Sequence, residues 1–300
     1  MIKSKEQKRL SIITNSIMIF LSLAVILPFI LLIMSSLTEN ASAIKYGYSF
    51  IPKKFSLEAY RYLITEWKTL GKAYLMTIVV TVVGTFLCLI LTSTMAYALS
   101  NKDIPGKKLL TFFVVFSMLF NGGLVATYFV YTNLIHIKDT VWALIVPGVL
   151  VSGFNIILMK NYFSGNIGEE ILDSARIDGA GEIKIFMKIV VPLSVPMYAT
   201  IGLLSAVNYW NEWKNGMYYL TQQNGSQYYT IQLILNRLND NISYLAANAA
   251  SMGIAIDMTE LPTTTMRMAI AVVAILPIII AYPFFQKYFV KGITVGGIKG

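Results

Sequence analysis

Two residue types that build metal and disulfide sites are almost missing: the 300 residues include one cysteine, Cys88, and one histidine, His136. A single cysteine closes no disulfide within a chain and makes no thiolate cluster. A single histidine rules out a multi-histidine metal site. Both read as packing residues, Cys88 inside an apolar run and His136 at the end of one. Charge is scarce as well. Asp, Glu, Lys and Arg together make up 13% of the chain, about half the ~25% usual in soluble domains. Apolar residues make up 56%, more than one or two soluble cores of this size could cover. A lipid bilayer is the solvent that such a composition suits. The formal charge of +9 is scattered between hydrophobic runs, which topology explains, so nucleic acid is not expected as a partner.

The signatures of catalysis are absent too. There is no HExxH, no GxSxG and no pair of carboxylates within the apolar runs, so no enzymatic constellation is assembled. The runs also lack the ionisable residues that a proton relay needs. A carrier that holds ions through backbone carbonyls and hydroxyls stays open. No GxxxxGK[ST] occurs: Gly106-Lys107 is followed by Lys108, and Gly71-Lys72 by Ala73. The chain therefore binds no ATP through a P-loop of its own, and energy for active transport has to enter through a partner.

What the chain has instead is six long apolar segments, at residues 10–37, 73–99, 109–135, 140–159, 189–210 and 268–286, none with an internal Asp, Glu, Lys or Arg. Each approaches the ~20 residues needed to cross a bilayer, so the expected fold is an all-α membrane protein with six transmembrane helices. The first follows Lys3, Lys5, Lys8 and Arg9 and precedes Ala41-Ser42-Ala43, as a signal peptide would. Its apolar part is far longer than the ~7–15 residues of a signal, so a retained span is expected. With both termini in the cytoplasm, the inner segments carry the larger share of the 24 Lys and Arg, the sense that the positive-inside rule requires. Aromatic residues near span ends, among them Trp67, Tyr74, Trp210, Trp213 and Tyr282, fit an interfacial belt.

The segment between the fourth and fifth runs, residues 166–192, reads as two short helices around a turn. Glu169 and Glu170 open the first, where acid suits the helix dipole, and Ile171, Leu172 and Ala175 share one face. Gly179 supplies a left-handed residue to close it. In the second, Glu182 comes early and Lys184 and Lys188 late. Ile183, Phe186, Met187 and Val190 form an apolar stripe, and Pro192 is expected to end the helix. Pattern alone leaves two readings: a loop packed on the protein's own spans, or a docking site for a partner.

At these residues the sequence resembles a family. Asp173-Ser174-Ala175, three residues, Gly179, nine residues, then Ile189-Val190-Val191-Pro192 is similar to the EAA loop of binding-protein-dependent ABC importer permeases. That pattern is Glu-Ala-Ala, three residues, Gly, nine residues, Ile-x-Leu-Pro. Here Asp173 stands for Glu, Ser174 for Ala and Val191 for Leu. The run Ala175-Arg176-Ile177-Asp178-Gly179-Ala180 most resembles the carbohydrate-uptake, maltose-type class. Further resemblance lies in residues 121–128, in Tyr209-Trp210-Asn211-Glu212-Trp213, in Glu260-Leu261-Pro262, and in the last span and tail. These resemble a subgroup that handles oligosaccharides or complex saccharides.

The resemblance implies a type I ABC importer permease in the bacterial plasma (inner) membrane. It divides the single membrane domain, 1–300, into an N-terminal extra span at 10–37, a permease core at 70–290, a cytoplasmic coupling loop at 166–192 and an outer loop at 215–267. It implies no enzymatic activity and no cofactor in this chain, ATP and Mg being used by partner ATPases. The implied partners are a homologous second permease, two ATPase subunits, an extracellular or periplasmic solute-binding protein and the lipid bilayer. Coupling to the ATPases is expected of Asp173, Ser174, Ala175, Asp178, Gly179, Ala180, Ile183, Phe186 and Met187. The tail at 292–300 is expected to touch the same partners. Aromatic and amide groups near the fifth span's end, Asn208, Tyr209, Trp210, Asn211 and Trp213, are candidates for the saccharide pathway, an assignment that the interfacial belt rivals. Two other classes compete: a secondary carrier for small solutes, and a membrane scaffold or sensor.

Overall fold

The computed structural model describes residues 5–65, 67–101, 104–237, 240 and 263–295. Among them every regular element is helical, and the one extended pairing is an isolated antiparallel bridge between Thr38 and Phe55. The chain forms two compact units, Met1–Leu70 with Leu235–Pro277, and Gly71–Ile234 with Ile278–Gly300.

The first unit opens with α1 (Lys5–Ser36). Large apolar side chains point outward on every side of it, from Leu10 to Ile33. A helix apolar all round has no face for water, and lipid receives each central Leu, Ile, Phe or Val at a gain of ~0.3–0.6 kcal/mol. At its end Ser36 Oγ and the Tyr60 hydroxyl are 2.7 Å apart. Backbone bonds Glu39 N–H to Lys54 O (3.0 Å) and Ser56 N–H to Leu37 O (2.9 Å) fasten the loop between α2 (Asn40–Tyr46) and α3 (Glu58–Thr65).

In the second unit α4 (Trp67–Ser100) is the spine. Its buried residues Thr77, Val80, Gly84, Cys88, Thr92, Ala96 and Leu99 recur every three or four positions, one continuous stripe. Val80 and Cys88 join a cluster with Ala143, Leu144, Ile145, Tyr209, Tyr219, Leu220 and Leu233. Ala96 joins a second cluster with Met159, Phe163, Ile185, Val190, Met197 and Ile201. Tyr209 lies across Gly84, where an added Cβ would sit 2.6 Å from the ring. Its hydroxyl donates to Ile145 O at 2.9 Å.

The six expected apolar runs do not all form unbroken helices. Among the described residues two unbroken helices, α1 and α4, are long and apolar enough to cross a membrane, and two bent pairs raise the number to four. The run at 109–135 is split into α5 (Lys107–Leu119) and α6 (Gly123–Phe129), inclined at 120°. The break falls at Gly122-Gly123, with Gly123 at φ +79°, a conformation open to glycine and strained for other residues. The run at 140–159 is interrupted between α7 (Trp142–Ile145) and α8 (Gly153–Asn166) at Pro147-Gly148. The run at 189–210 bends by 81° between α11 (Val191–Leu193) and α12 (Val195–Asn211). The runs at 109–135 and 189–210 pass as membrane-compatible when each bent pair is taken as one span, but composition does not register a backbone break. The sixth run lies within α14 (Thr263–Val295).

The described residues after α12 are tied to the rest of the second unit. After α13 (Lys214–Tyr219), Asp139 clamps the returning chain: its Oδ1 accepts from Thr221 N–H at 2.5 Å and its Oδ2 from Thr221 Oγ at 2.9 Å. Asp139 sits at φ +56°, a region that Asp and Asn tolerate and alanine does not. Asp139→Ala loses both acceptors and gains backbone strain, so cleavage of the 220–230 segment in limited proteolysis should quicken about tenfold, the equivalent of ~1.4 kcal/mol in local opening. Residues 241–262, including Glu260-Leu261-Pro262, lie outside the described residues, as do 296–300 of the tail.

Candidate functional site

The 166–192 segment forms the expected hairpin. Its first helix, α9 (Glu169–Ile177), ends in a glycine-closed turn. Gly179 has φ +77°. Gly179 N–H donates to Arg176 O and Ala180 N–H to Ala175 O, both at 3.0 Å. This pair of bonds is the Schellman arrangement, and it satisfies carbonyls that the helix end would leave bare. The second helix, α10 (Glu182–Ile185), passes directly into a π-turn at Phe186–Val190.

That π-turn corrects two expectations. Pro192 does not end the helix, because helical backbone continues through α11 and breaks at Ser194. Pro192 is the second residue of α11, directly after the π-turn. The wide turn also rotates the following residues relative to a 3.6-residue repeat. Ile183, Phe186, Met187 and Val190 therefore do not share a face. Val190 and Ile185 are fully buried, Phe186 is half-buried, and Ile183 and Met187 are 82% and 59% exposed.

The residues expected to couple accordingly divide. Ala175, Ala180 and Phe186 turn inward onto the cluster around Ile185 and Met197. Phe186 packs on Tyr97, ring centroids 5.2 Å apart, so its ring is engaged within the chain. Asp173, Ser174, Asp178, Gly179, Ile183 and Met187 stay outside. Ser174 Oγ donates to Glu170 O at 2.8 Å. Asp173 is already paired, accepting from Arg176 Nη1 at 2.8 Å. The turn also presents Ile177, 86% exposed, which the sequence pattern had not singled out. Three bare aliphatic residues, Ile177, Ile183 and Met187, beside acids on a polar loop make a surface suited to a protein partner.

Three further residues escaped the sequence reading. Glu182 accepts from Arg176 Nε at 2.9 Å and from the Tyr97 hydroxyl at 2.5 Å. The guanidinium beside it, then the Tyr97 hydroxyl, hold its carboxyl below the usual carboxylate range. Arg176 is held above its ordinary value, first by Glu182. The opposite charges of Arg176 and Glu182, six positions apart across a glycine turn, were the available signal. Tyr97 lay inside an apolar run and gave none.

The pathway candidates divide as well. Tyr209 is 1% exposed and committed to Ile145 and Gly84. Trp210 is buried, edge-on to Tyr74 at 5.9 Å. These two belong to the scaffold. Asn208, Asn211 and Trp213 instead line a cavity of about 400 Å³ with Ser152, Asn155, Ser205, Glu212 and Lys214. The break between α7 and α8 opens this cavity, whose lining is mostly polar. Asn155 is 7% exposed, and its backbone N–H donates to the Ser152 hydroxyl at 3.4 Å. Glu212 holds one oxygen on Asn215 N–H at 2.9 Å. The size lies in the ~300–1,000 Å³ range of small-ligand sites.

Residues 89–295 match the family model described as binding-protein-dependent transport system inner membrane component. The polygalacturonan/rhamnogalacturonan transport system permease protein YtcP of Bacillus subtilis (strain 168) is 39% identical over 94% of this chain and 96% of its own. Protein LplC of the same strain is 38% identical over 92% of this chain and 90% of its own. A chain of the crystal structure of a bacterial ABC transporter involved in the import of the acidic polysaccharide alginate superposes with a TM-score of 0.78. It is 29% identical, and the match covers 96% of this chain and 99% of that one. The matched residues take in the hairpin, the polar cavity and α14, and this chain belongs to the family of binding-protein-dependent transport system inner membrane components.

Proposed function

We propose that this chain forms one half of the pathway of an ATP-driven importer for an oligosaccharide or polysaccharide, and passes motion from partner ATPases into the membrane. The observation that carries the proposal is the glycine-closed hairpin with its bare tip of Ile177, Ile183 and Met187, within a chain of this family. A secondary carrier would need no such tip.

In this reading the membrane is crossed six times: by α1, α4, the α5–α6 pair, the α7–α8 segment, the α11–α12 segment and α14. Both termini and the hairpin lie in the cytoplasm of a bacterial cell. The core covers 70–290, with α1 as an added span at 10–37 and an outer loop at 215–267 facing a solute-binding protein. A homologous permease supplies the other half, and two ATPase subunits use the ATP and Mg; this chain binds neither. Asp173, Ser174, Asp178, Gly179, Ile183 and Met187 face the ATPase, while Ala175, Ala180 and Phe186 seat the hairpin on the spans. The tail at 292–300 meets the same partner.

The polar cavity is the saccharide's passage. Amides at Asn155, Asn208 and Asn211 and hydroxyls at Ser152 and Ser205 match sugar hydroxyls, and Trp213 offers a ring face. Lys214 adds an ammonium with which a uronate carboxylate would pair. The relatives whose names carry acidic polymers support a saccharide of this kind.

The test is co-purification of ATPase subunits with this chain and its neighbouring permease. Ile183→Asp puts a charge on an 82% exposed apolar residue, so the fold should stand. Burial of an unpaired carboxylate at a contact is strongly unfavourable, and retained ATPase should fall more than tenfold. Wild-type retention by Ile183→Asp would remove the tip from the contact.

A further inference from the structure

Within the second unit, the hairpin and α4 meet at one carboxylate. Glu182 is the first residue of α10. Its Oε1 accepts from Arg176 in the last turn of α9, and its Oε2 accepts from Tyr97 near the end of α4. Arg176 extends the network to Asp173. Beneath it the Tyr97 ring rests on Phe186. A lone exposed ion pair contributes little. Here four groups share one network backed by an aromatic pair, and such networks hold geometry better than separate pairs.

The position of this clasp matters more than its strength. Between α9 and α10 the chain consists of Asp178, Gly179, Ala180 and Gly181, with two glycines. A push on the tip has two outcomes. It bends the turn, and the movement is absorbed, or it meets a braced turn and displaces α4. Tyr97 and Glu182 are 85 positions apart, so their bond is a direct tie from the hairpin to the spine of the second unit. α4 continues from there along the buried stripe to Gly84 and Tyr209, beside the cavity.

We propose that Glu182 is a positioning residue for energy coupling: by holding Arg176 with one oxygen and Tyr97 with the other, it makes the hairpin and the end of α4 one lever. This rests on the reading of the hairpin tip as the ATPase contact. The lever transmits movement; it takes no part in binding the ATPase or the saccharide.

Tyr97→Phe is the sharpest test, because it removes one oxygen and leaves the ring on Phe186. The full transporter, with partner permease and ATPase subunits, is reconstituted carrying Asn208→Cys as a reporter in the cavity; Cys88, wholly buried, is the silent background. The readout is the change in maleimide labelling rate between nucleotide-free and ATP–vanadate-trapped states. With the clasp intact the rate changes. In Tyr97→Phe and in Glu182→Gln the change should shrink at least about fivefold, the low end of common coupling factors, while ATPase co-purification and hydrolysis persist. The double variant should lose no more than the worse single one, as members of one network do. A wild-type labelling response in both single variants overturns the proposal. So does loss of ATPase from Tyr97→Phe, which would make the clasp part of docking. Failure of the wild-type chain to retain ATPase overturns the docking reading itself, a separate result.

Discussion

Gly84→Leu will leave no folded protein in detergent, and Gly84→Ala will fold but unfold at clearly lower temperature. The ring of Tyr209 occupies the place of a side chain at position 84: Cζ, Cε1 and Cε2 all lie within 2.7 Å of an added Cβ. Rigid ring atoms cannot swing aside as the end of a lysine would. Tyr209 is also fixed from behind, 1% exposed and bonded to Ile145 O. Alanine favours a helix interior over glycine by ~1 kcal/mol. Overpacking a tight core costs ~1–3 kcal/mol, and displacing the Tyr209 hydroxyl forfeits a further ~1 kcal/mol. The steric terms win. Tyr209→Leu should partly rescue Gly84→Ala, since it vacates the contested volume, and thermal unfolding followed by size-exclusion fluorescence would show the non-additivity. Equal stability of wild type and Gly84→Ala would mean that α4 and α12 do not approach as described.

Gly179→Pro will insert in the membrane and purify with its partner permease, yet hold no ATPase. Proline fixes φ near −65°, and this position stands at +77°. Proline also deletes the N–H that closes α9 onto Arg176 O. The turn would reopen, and Ile177 and Ile183 would no longer present together. Insertion depends on the apolar runs, which the substitution leaves untouched. Gly179→Asn is the control: asparagine visits the left-handed region readily, so most of the ATPase should remain. Gly179→Ala should fall between, at a strain of ~1–2 kcal/mol. Full ATPase retention by the proline variant would show that the turn's shape is not what the partner reads.

The hairpin was legible because its determinants are local. Acids at the first turn of α9 and a glycine where a left-handed residue is needed lie within a few residues of one another. The apolar runs were legible for a similar reason, composition alone fixing their preference for lipid. Faces were less so. The π-turn at Phe186–Val190 turned Val190 inward while Ile183 and Met187 remained bare, and a 3.6-residue pattern contains no term for an inserted residue. The helix breaks were missed where Gly122-Gly123 and Gly148 sat within long apolar stretches whose hydropathy outweighed them. By itself the sequence determined a helical, strongly apolar chain with a glycine-closed hairpin at 166–192. Only the tertiary structure decided that Tyr209 is scaffold while Asn208 and Asn211 line a cavity, and that the Tyr97 hydroxyl donates a hydrogen bond to Glu182. Those outcomes depend on contacts between helices 64 and 85 positions apart, and no local pattern encodes which of two neighbouring side chains will meet such a partner.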